Sequence, residues 1–385
     1  MAAKLFAPAP EPKTPLGRYR IMASTAGVRV SPLQLGAMSI GEAWSEAMGS
    51  MNKEQSFKLL DAFVDAGGNM IDTANNYQNG ESELWIGEWM KERKNRDLMV
   101  IATKFTTGYV NFEVSDPQRV NFTGNSRRSL HMSVRDSLKK LQTDWIDVLY
   151  IHWWDFTTSI EELMDALHIL VQQGKVLYLG ISDSPAWIVS AANTYARHHG
   201  KTPFSIYQGQ WHVGLRDLER DIIPCCRHFG MAIAPWGVLG SGHYQSKKAL
   251  DERKKAGETL RSFRGADQSE QEIKMSEALA EVAEEHGIES VTAIALAYVF
   301  SKYPNVYPIV GGRKVEHLHD NIKALSIQLT DAQVKRLEEV KPFDIGFPTT
   351  MIGSDPALDG SHGSFLIANS AKIDYVRTPK PIGHE

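Results

Sequence analysis

From residue 33 onward, short apolar runs typical of buried strands alternate with amphipathic segments typical of helices. The apolar runs lie at residues 33–36, 70–72, 99–103, 146–150, 177–181, 204–207, 231–235 and 306–310. Between them lie segments such as residues 53–68, where Phe57, Leu60 and Phe63 recur at helical spacing. Strands that alternate with helices predict a parallel sheet, and eight such units predict an α/β fold closed into a (β/α)8 TIM barrel.

The two ends of the chain fall outside this alternation. The first residues are rich in Pro and Ala, residues 18–30 have a turn near Gly27 that suggests a hairpin, and the last residues carry Gly, Pro and Ser. We therefore predict a flexible arm at residues 1–15, the barrel with its hairpin at residues 16–345, and a C-terminal extension at residues 346–385.

Two insertions lengthen connections that follow predicted strands. Residues 105–125 separate the third strand from its helix, and residues 240–272 follow the seventh strand. Loops of this length inside a compact domain are often lids or binding loops. Because the connections after barrel strands meet at the rim that carries active sites, we expect residues 105–125 to overhang that rim. The mixture of Gly, Lys, Arg and Glu in residues 240–272 suggests a mobile loop with helical patches.

The composition is that of an ordinary globular protein, with 42% apolar and 23% charged residues. The net charge of -4 indicates neither nucleic acid nor an anionic membrane as a partner. Cys225 and Cys226 are adjacent, which argues against a disulfide between them and favours a reducing compartment. Because no segment resembles a signal peptide or a membrane span, we expect a cytoplasmic protein, with a homo-oligomer as one option.

Four polar residues stand at the ends of three successive apolar runs. They are Asp72 and Tyr77 in NMIDTANNY, Lys104 in MVIATKF, and His152 in IDVLYIHWWD. The carboxyl ends of parallel barrel strands converge on one rim, so the fold predicts that these side chains meet. A carboxylate, a phenol, an ammonium and an imidazole in one place form a candidate catalytic device for proton transfer.

These residue types suit the protonation of a carbonyl oxygen while a hydride reaches its carbon. A tyrosine holds its proton tightly, because its ordinary pKa is near ~10. A nearby ammonium lowers that pKa and makes the phenol a better acid, which is the effect we expect of Lys104 on Tyr77. Asp72 would keep Lys104 charged, and His152 would orient the carbonyl with a hydrogen bond.

Each of the four residues also has a common structural role to set against this hypothesis. An Asp at a strand end is often a helix cap, a Tyr in a loop is usually packing surface, and a Lys is usually solvated. A His beside two tryptophans, such as His152, also suits a satisfied core histidine. The catalytic interpretation is favoured because all four residues occur at successive strand ends.

The same stretches resemble the catalytic motifs of the aldo-keto reductase superfamily. IDTANNY, ATKF and YIHWWD match those motifs in order and placement, and the similarity covers roughly residues 15–345. In that family the tyrosine is the general acid, the lysine and the aspartate assist it, and the histidine orients the carbonyl. The resemblance implies these roles for Tyr77, Lys104, Asp72 and His152.

Longer stretches resemble the fungal aryl-alcohol dehydrogenases and norsolorinic acid reductase-like proteins. Among them are LGAMSIGEAW, LLDAFVDAGGNMIDTAN, HWWDFTTSIEELM, GKVLYLGISDSPAW and PIVGGRKVEHL. The resemblance implies reversible reduction of an aromatic aldehyde or ketone to an alcohol, and it suggests a place in secondary metabolism. Trp44, Phe105 and Trp153 are aromatic residues near the rim that would form a slot for the aryl group.

The cofactor prediction rests on the same resemblance. No Gly-x-Gly-x-x-Gly motif follows a strand, so a Rossmann-type site has no support, whereas the family lays an extended nicotinamide dinucleotide across the barrel mouth. The residues that match its cofactor contacts are Ser182, Asp183, Gln208, Trp236, Gly237, Leu239, Ser241, Gly311, Gly312, Arg313, Lys314, His317 and Asn321. The positive charges of Arg313 and Lys314 favour NADP(H) over NAD(H).

Two of these positions depart from the family pattern. Asp183 stands where the family has an asparagine, and a carboxylate accepts a hydrogen bond from the nicotinamide amide but cannot donate one to its carbonyl. His317 stands where many members have Arg or Gln, so the phosphate clamp is not fully reproduced. These departures concern the cofactor contacts and leave the four catalytic residues unchanged.

Other classes of function remain open from the sequence. A cofactor-binding regulatory subunit with little turnover would share the barrel and the NADP(H) residues. A Schiff-base lyase would use Lys104 as a neutral nucleophile, which Asp72 opposes by favouring the charged amine. A metal hydrolase has weaker support, because the histidines show no convincing spacing with a carboxylate, and we predict no metal.

Overall fold

Parallel strands closed into a barrel form the centre of the molecule. The computed structural model describes residues 7–45, 50–110, 117–245, 268–361 and 365–383. The antiparallel hairpin consists of β1 (Arg20–Ala23) and β2 (Ala26–Val30), and the barrel of β3 (Gln34–Gly36), β4 (Met70–Asp72), β5 (Val100–Phe105), β6 (Ile146–Ile151), β7 (Val176–Ser182), β8 (Phe204–Gln210), β9 (Ala232–Trp236) and β10 (Ile309–Val310). The predicted (β/α)8 fold and its N-terminal hairpin are confirmed.

The barrel strands pair in chain order, and the last strand pairs with the first. Strand order is β10-β3-β4-β5-β6-β7-β8-β9, with every pair parallel. The ring closes between β9 and β10 through a parallel bridge of Ile233 with Val306, and the N–H of Tyr307 donates to the Ile233 carbonyl at 2.8 Å. The predicted run at 306–310 is therefore a regular strand only at Ile309–Val310.

Helices surround the barrel and follow the strands in alternation. They are α1 (Lys53–Asp65), α2 (Glu81–Arg93), α3 (Arg127–Leu141), α4 (Ile160–Gln172), α5 (Ala186–His198), α6 (Ile222–Phe229), α7 (Glu270–Glu285), α8 (Val291–Lys302), α9 (Val315–Lys323), α10 (Asp331–Val340), α11 (Thr349–Ile352), α12 (Pro356–Asp359) and α13 (Phe365–Ala368). Short 3₁₀ turns occupy Pro15–Gly17, Tyr77–Gly80, Arg96–Leu98, Pro117–Phe122, Asp217–Glu219, Gly240–Gly242 and Ala324–Ser326.

The helix boundaries follow from local side-chain chemistry. At the start of α1, Asn52 accepts from the N–H of Gln55 while the Gln55 side chain accepts from the N–H of Asn52, which satisfies two donors that the helix leaves unpaired. Helix α1 then buries Leu59, Leu60 and Phe63, in agreement with the periodicity of the sequence. The amphipathic pattern and the cap therefore define the same helix.

The hairpin covers the end of the barrel at which the strands begin. The Tyr307 hydroxyl donates to the carbonyl of Ile21 at 2.6 Å, and the N–H of Ser24 donates to the carbonyl of Gly230 at 3.2 Å. Met22 and Val30 are fully buried in one apolar cluster with barrel residues. With this end covered, the opposite end, where the strands finish, is the one available for a site.

The inserted loops and the C-terminal extension are described in part. Of the insertion at residues 105–125, the portion 111–116 lies outside the described residues, and the remainder contains the turn Pro117–Phe122. Of the insertion at residues 240–272, the portion 246–267 lies outside them. Within the ranges the structure describes, no helix combines the length and apolar character that a membrane crossing requires.

Candidate active site

A cavity of about 1980 Å³ opens where the barrel strands end. Most of the residues that the sequence predicts for catalysis, cofactor binding and substrate binding line its wall. They are Trp44, Asp72, Tyr77, His152, Trp153, Asp183, Gln208, Trp236, Gly237, Leu239, Ser241, Gly311, Gly312, Arg313, Lys314, His317 and Asn321. The converging strand ends thus bring together residues that lie far apart in the sequence.

Three predicted residues lie behind this wall. Lys104 is fully buried beneath Tyr77, and Ser182 is buried beside Asp183. Phe105 is fully buried in the apolar core and does not line the cavity. Successive side chains of a strand point to opposite faces, so a strand that directs Lys104 into the barrel directs Phe105 toward the surrounding helices. We therefore leave Phe105 out of the proposed substrate contacts.

Asp72, Lys104 and Tyr77 form a continuous hydrogen-bonded cluster. The Nζ of Lys104 lies 2.6 Å from Asp72 Oδ1, 2.7 Å from the carbonyl oxygen of Thr73 and 3.3 Å from the Tyr77 hydroxyl. The Nε2 of Gln208 donates to Asp72 Oδ2 at 2.9 Å, so both oxygens of this carboxylate are engaged. The cluster holds the ammonium directly against the phenol, as the strand-end pattern predicts.

Burial and the charge of Lys104 have opposite effects on the pKa of Tyr77. Burial raises the pKa of Tyr77 above its ordinary value of 10.0, the charge of Lys104 lowers it, and the charges of Asp72 and Asp183 raise it again. The charge of Lys104 lowers the pKa of Tyr77 as expected, but burial outweighs this effect. At neutral pH Tyr77 therefore carries its proton, the form that a general acid needs.

Lys104 is held in its charged form. Burial alone would lower the pKa of this ammonium, but Asp72 and Tyr77 together raise it above its ordinary value of 10.5. A Schiff-base nucleophile needs the neutral amine. The geometry around Lys104 therefore opposes the lyase alternative.

His152 is held by a threonine that the sequence reasoning missed. Its Nδ1 lies 3.1 Å from the Thr107 hydroxyl oxygen, to which the indole Nε1–H of Trp153 donates at 3.0 Å. Because the indole is only a donor, the Thr107 oxygen accepts from it and retains its own proton to donate to Nδ1. This arrangement favours the tautomer in which the Nε2 of His152 carries a proton and can donate to a ligand.

The imidazole of His152 is neutral and fixed in orientation. Burial, and then the charge of Lys104, hold the pKa of His152 well below its usual range. The ring stacks on Trp153, with centroids 4.8 Å apart and planes 13° apart, and it meets the ring of Tyr77 edge-on at 5.9 Å. A neutral donor beside the phenol suits the orientation of a carbonyl oxygen.

Tyr77 begins a strained turn that ties a neighbouring loop to the site. Gln78 and Asn79 have φ values of 51° and 54°, in the left-handed region that side chains rarely adopt. Gln78 accepts from the N–H of Trp44 at 2.7 Å, and Asn79 accepts from the Trp44 indole at 2.9 Å. The Trp44 ring lies edge-on to Tyr77, with centroids 6.2 Å apart. Indoles therefore flank Tyr77 and His152.

Asp183 and Trp236 form a second pair in the cavity wall. The indole Nε1 of Trp236 donates to both carboxylate oxygens of Asp183, at 3.3 and 3.2 Å, and Ser182 Oγ donates to Asp183 Oδ2 at 3.0 Å. Burial raises the pKa of Asp183 to about 6, against these hydrogen bonds, which lower it. Asp183 thus fixes the orientation of the indole that is predicted to stack on a nicotinamide.

The turn after β9 lines the cavity and contains residues in the left-handed region. Gly237 and Ser241 have φ values of 69° and 58°, and the turn is held by the N–H groups of Gly240 and Gly242, which donate to the carbonyls of Gly237 and Leu239. The N–H groups of Gly237, Leu239 and Ser241 take no part in these turn bonds. A row of backbone donors along a left-handed turn suits a phosphate group.

The segment after β10 suits the phosphate end of a dinucleotide. Gly311 and Gly312 lie on the cavity wall directly before Arg313 and Lys314, at the start of α9. A Cβ at Gly312 would lie 3.2 Å from the Cβ of His317, so glycine keeps the backbone close to the helix. A helix N-terminus and two cations favour an anion. The residues present therefore fit an extended dinucleotide phosphate.

Several cavity residues were not predicted from the sequence. Besides Thr107, they include Asn76, whose buried Oδ1 has no hydrogen-bond partner among the described residues, and His212, which bonds the Tyr244 hydroxyl at 3.0 Å. A polar residue shortly after a strand was the available signal for Thr107 and His212. Considering only the described ranges, no group of three His, Cys, Asp or Glu side chains could hold a metal ion.

The chain is similar to known proteins over most of its length. The Aldo/keto reductase family model matches residues 32–342. The chain is 68% identical over 372 residues to a putative aryl-alcohol dehydrogenase of Saccharomyces cerevisiae, covering 96% of this chain and 99% of the relative. It is 54% identical over 382 residues to an aryl-alcohol dehydrogenase of Phanerodontia chrysosporium whose name specifies NADP(+), covering 97% of each chain. It is 51% identical over 371 residues to norsolorinic acid reductase B of Dothistroma septosporum, covering 94% of this chain and 93% of the relative.

Proposed function

The chain belongs to the aldo/keto reductase family and is an oxidoreductase, and from that premise we propose that it is an NADP(H)-dependent enzyme that reduces aryl aldehydes and ketones reversibly to alcohols. The observation that carries this proposal is the cluster of Asp72, Lys104 and Tyr77 in one cavity wall with His152. The proposal assigns the proton transfer to Tyr77.

Each of the four residues has a distinct task in this proposal. The Nε2–H of His152 donates to the carbonyl oxygen and orients it toward Tyr77, whose phenol transfers its proton to that oxygen. Lys104 stabilises the negative charge that develops on the phenolate, and Asp72 holds Lys104 in its charged form. NADPH, when bound, supplies the hydride that reaches the carbonyl carbon.

The preference for NADP(H) rests on charge and on a relative. Arg313 and Lys314 stand at the start of α9 beside Gly311 and Gly312, where a 2'-phosphate would find two cations and a helix N-terminus. The relative from Phanerodontia chrysosporium carries NADP(+) in its name. Both observations support NADP(H) over NAD(H).

The aromatic substrate class rests on the indoles beside the acid. Trp44 lies edge-on to Tyr77, and Trp153 stacks on His152, so a carbonyl held by Tyr77 and His152 extends between aromatic walls. Relatives named as aryl-alcohol dehydrogenases and as a norsolorinic acid reductase support the same class. We extend the proposal to a role in secondary metabolism on the strength of the latter name.

The test replaces Tyr77 by Phe and follows the loss of NADPH absorbance with an aromatic aldehyde such as veratraldehyde. We expect a fall in turnover of at least ~100-fold, the usual contribution of a positioned general acid, with NADPH affinity retained. Near-normal turnover in this variant would show that another group is the acid. Tight NADPH binding by the wild-type protein without turnover of any aldehyde or ketone would instead support the regulatory-subunit alternative.

A further inference from the structure

Asp183 is a partly buried carboxylate that contacts only neutral groups. Its oxygens accept from the hydroxyl of Ser182 and the indole of Trp236, and among the described residues it forms no ion pair. Removing a charge from water without a charged partner is costly, and carboxylates whose pKa is raised in this way cluster at functional sites. The position of this carboxylate in the cavity wall therefore calls for a ligand that complements it.

The cations of the site do not neutralise Asp183 by contact. Lys104 exerts a long-range attraction on it, but its Nζ is engaged by Asp72, Thr73 and Tyr77. Arg313 and Lys314 belong to the far end of the cavity, after β10. The wall around Asp183 therefore favours positive charge in a ligand that reaches it.

The backbone and the indole fix where this negative charge lies. Asp183 has a φ of 39°, and its N–H donates to the carbonyl of Gln208 at 3.0 Å, so its position is set by β8. Its carboxylate meets the edge of the Trp236 ring at Nε1. A planar ring stacked on the face of Trp236 would hence lie beside the carboxylate. Such a ring would also be close to Tyr77, since the charge of Asp183 acts on that phenol and raises its pKa.

We propose that Asp183 makes the site bind the oxidised nicotinamide cofactor in preference to the reduced one. This inference rests on the proposed function, which places a nicotinamide ring in the cavity. The oxidised ring carries a positive charge and the reduced ring is neutral, whereas the phosphates are the same in both. An asparagine at this position would give no charge-based preference, so the carboxylate biases which cofactor form occupies the site.

The experiment compares the wild-type protein with Asp183→Asn in the binding of NADP+ and NADPH, measured by titration calorimetry without substrate at mildly alkaline pH. We expect the ratio of the NADPH to the NADP+ dissociation constant to fall at least tenfold in the variant, mainly through weaker NADP+ binding. Asp165→Asn is the matched control, because this carboxylate on α4 pairs with Lys201 at the surface and its loss changes the net charge equally.

The outcomes distinguish failure of the inference about Asp183 from failure of the proposed function on which it rests. An unchanged ratio, with both affinities altered alike, would overturn the inference and leave Asp183 as a support for Trp236. If the wild-type protein bound neither cofactor form, the proposed function itself would fail. Should Asp183→Asn not fold, the wild-type protein provides a second measurement through its pH dependence.

The pH measurement follows the NADP+ preference of the wild-type protein as Asp183 takes up its proton. The pKa of Asp183 is about 6, so the preference should fade as pH drops below that value. The titratable groups facing Asp183 are Tyr77, Lys104 and Tyr207, whose pKa values are all raised, and none of them changes charge in this range. A preference that is the same on both sides of pH 6 would contradict the inference.

Discussion

At the scale of single residues, Lys104 is the centre of the candidate site. An ammonium has three protons to donate, and those of Lys104 face Asp72, the carbonyl of Thr73 and the Tyr77 hydroxyl. No proton remains for solvent or substrate. Lys104 therefore acts through Tyr77, and its position is determined by three acceptors at once.

Replacing Lys104 by Met tests this dependence. The variant leaves Asp72 buried without its cation, so we expect a loss of about 3–5 kcal/mol in unfolding free energy. It also removes the charge that stabilises the phenolate, so reductase activity should fall at least ~100-fold. Denaturant unfolding and aldehyde-dependent NADPH consumption measure the two effects. A variant that kept its activity would show that Tyr77 works without the ammonium.

The pH dependence of the reaction follows from the raised pKa of Tyr77. Carbonyl reduction needs the protonated phenol, which persists until pH passes the raised pKa, above the ordinary value of 10.0. We expect the reduction rate to be level across neutral pH and to fall only in strong alkali. Alcohol oxidation needs the phenolate and should rise with pH over the same range. A reduction rate that halves near neutral pH would contradict this assignment.

Thr107 is expected to position His152 through its hydroxyl. In Thr107→Val the hydrogen bond to Nδ1 is lost, so the tautomer with a proton on Nε2 is no longer favoured, and kcat/KM for aldehydes should fall about tenfold, in line with the loss of one hydrogen bond. Thr107→Ser keeps the hydroxyl and should restore activity. Nitrogen NMR of labelled histidine would report the tautomer directly, and an unchanged spectrum in Thr107→Val would exclude this role.

At the scale of elements, each segment after a strand carries one part of the site. The residues proposed for proton transfer lie at or just after the ends of β4 to β6, whereas those proposed to bind the cofactor lie at or just after the ends of β7 to β10. This division arises because strands that are consecutive in the chain are neighbours in the barrel. Residues at the ends of consecutive strands therefore lie on the same side of the barrel mouth. The site is therefore assembled from two arcs of one rim.

The start of α9 should determine the choice between NADPH and NADH. Arg313→Ala removes one of two cations from this helix N-terminus, and a lost charged hydrogen bond to phosphate corresponds to about a tenfold higher KM for NADPH. The KM for NADH should not change, since NADH has no 2'-phosphate. Arg336→Ala is the matched control, because Arg336 pairs with Glu285 away from this helix. Equal effects on both cofactors would argue against a 2'-phosphate contact.

The sequence predicted those elements in which the local pattern and the fold agree. Asp72, Lys104 and His152 were found because each directly ends an apolar run, and the rim of a barrel brings such positions together. Thr107 was missed because its role depends on a hydrogen bond to a residue 45 positions away. The sequence places Phe105 near the rim, but the alternation of side chains along β5 turns it into the apolar core, away from the cavity.

At the scale of the whole molecule, the two ends of the barrel have different roles. The hairpin covers one end, and the cavity occupies the other. Tyr307→Phe removes the hydrogen bond to the carbonyl of Ile21, so we expect a loss of about 1–2 kcal/mol in stability with kcat/KM unchanged. Thermal unfolding and steady-state kinetics measure the two quantities. A large loss of activity at constant stability would show that this end communicates with the site.

The short pairing between β9 and β10 has a consequence for how the barrel fluctuates. This seam rests on one bridge and on a strand of two residues, whereas β6 and β7 pair over most of their length. Amide hydrogens at Ile233 and Tyr307 should then exchange faster than those of β6, because local opening begins where pairing is shortest. Trp236 is the last residue of β9 and Gly311 directly follows β10, so a dinucleotide that contacted both would hold the two strands together and slow that exchange.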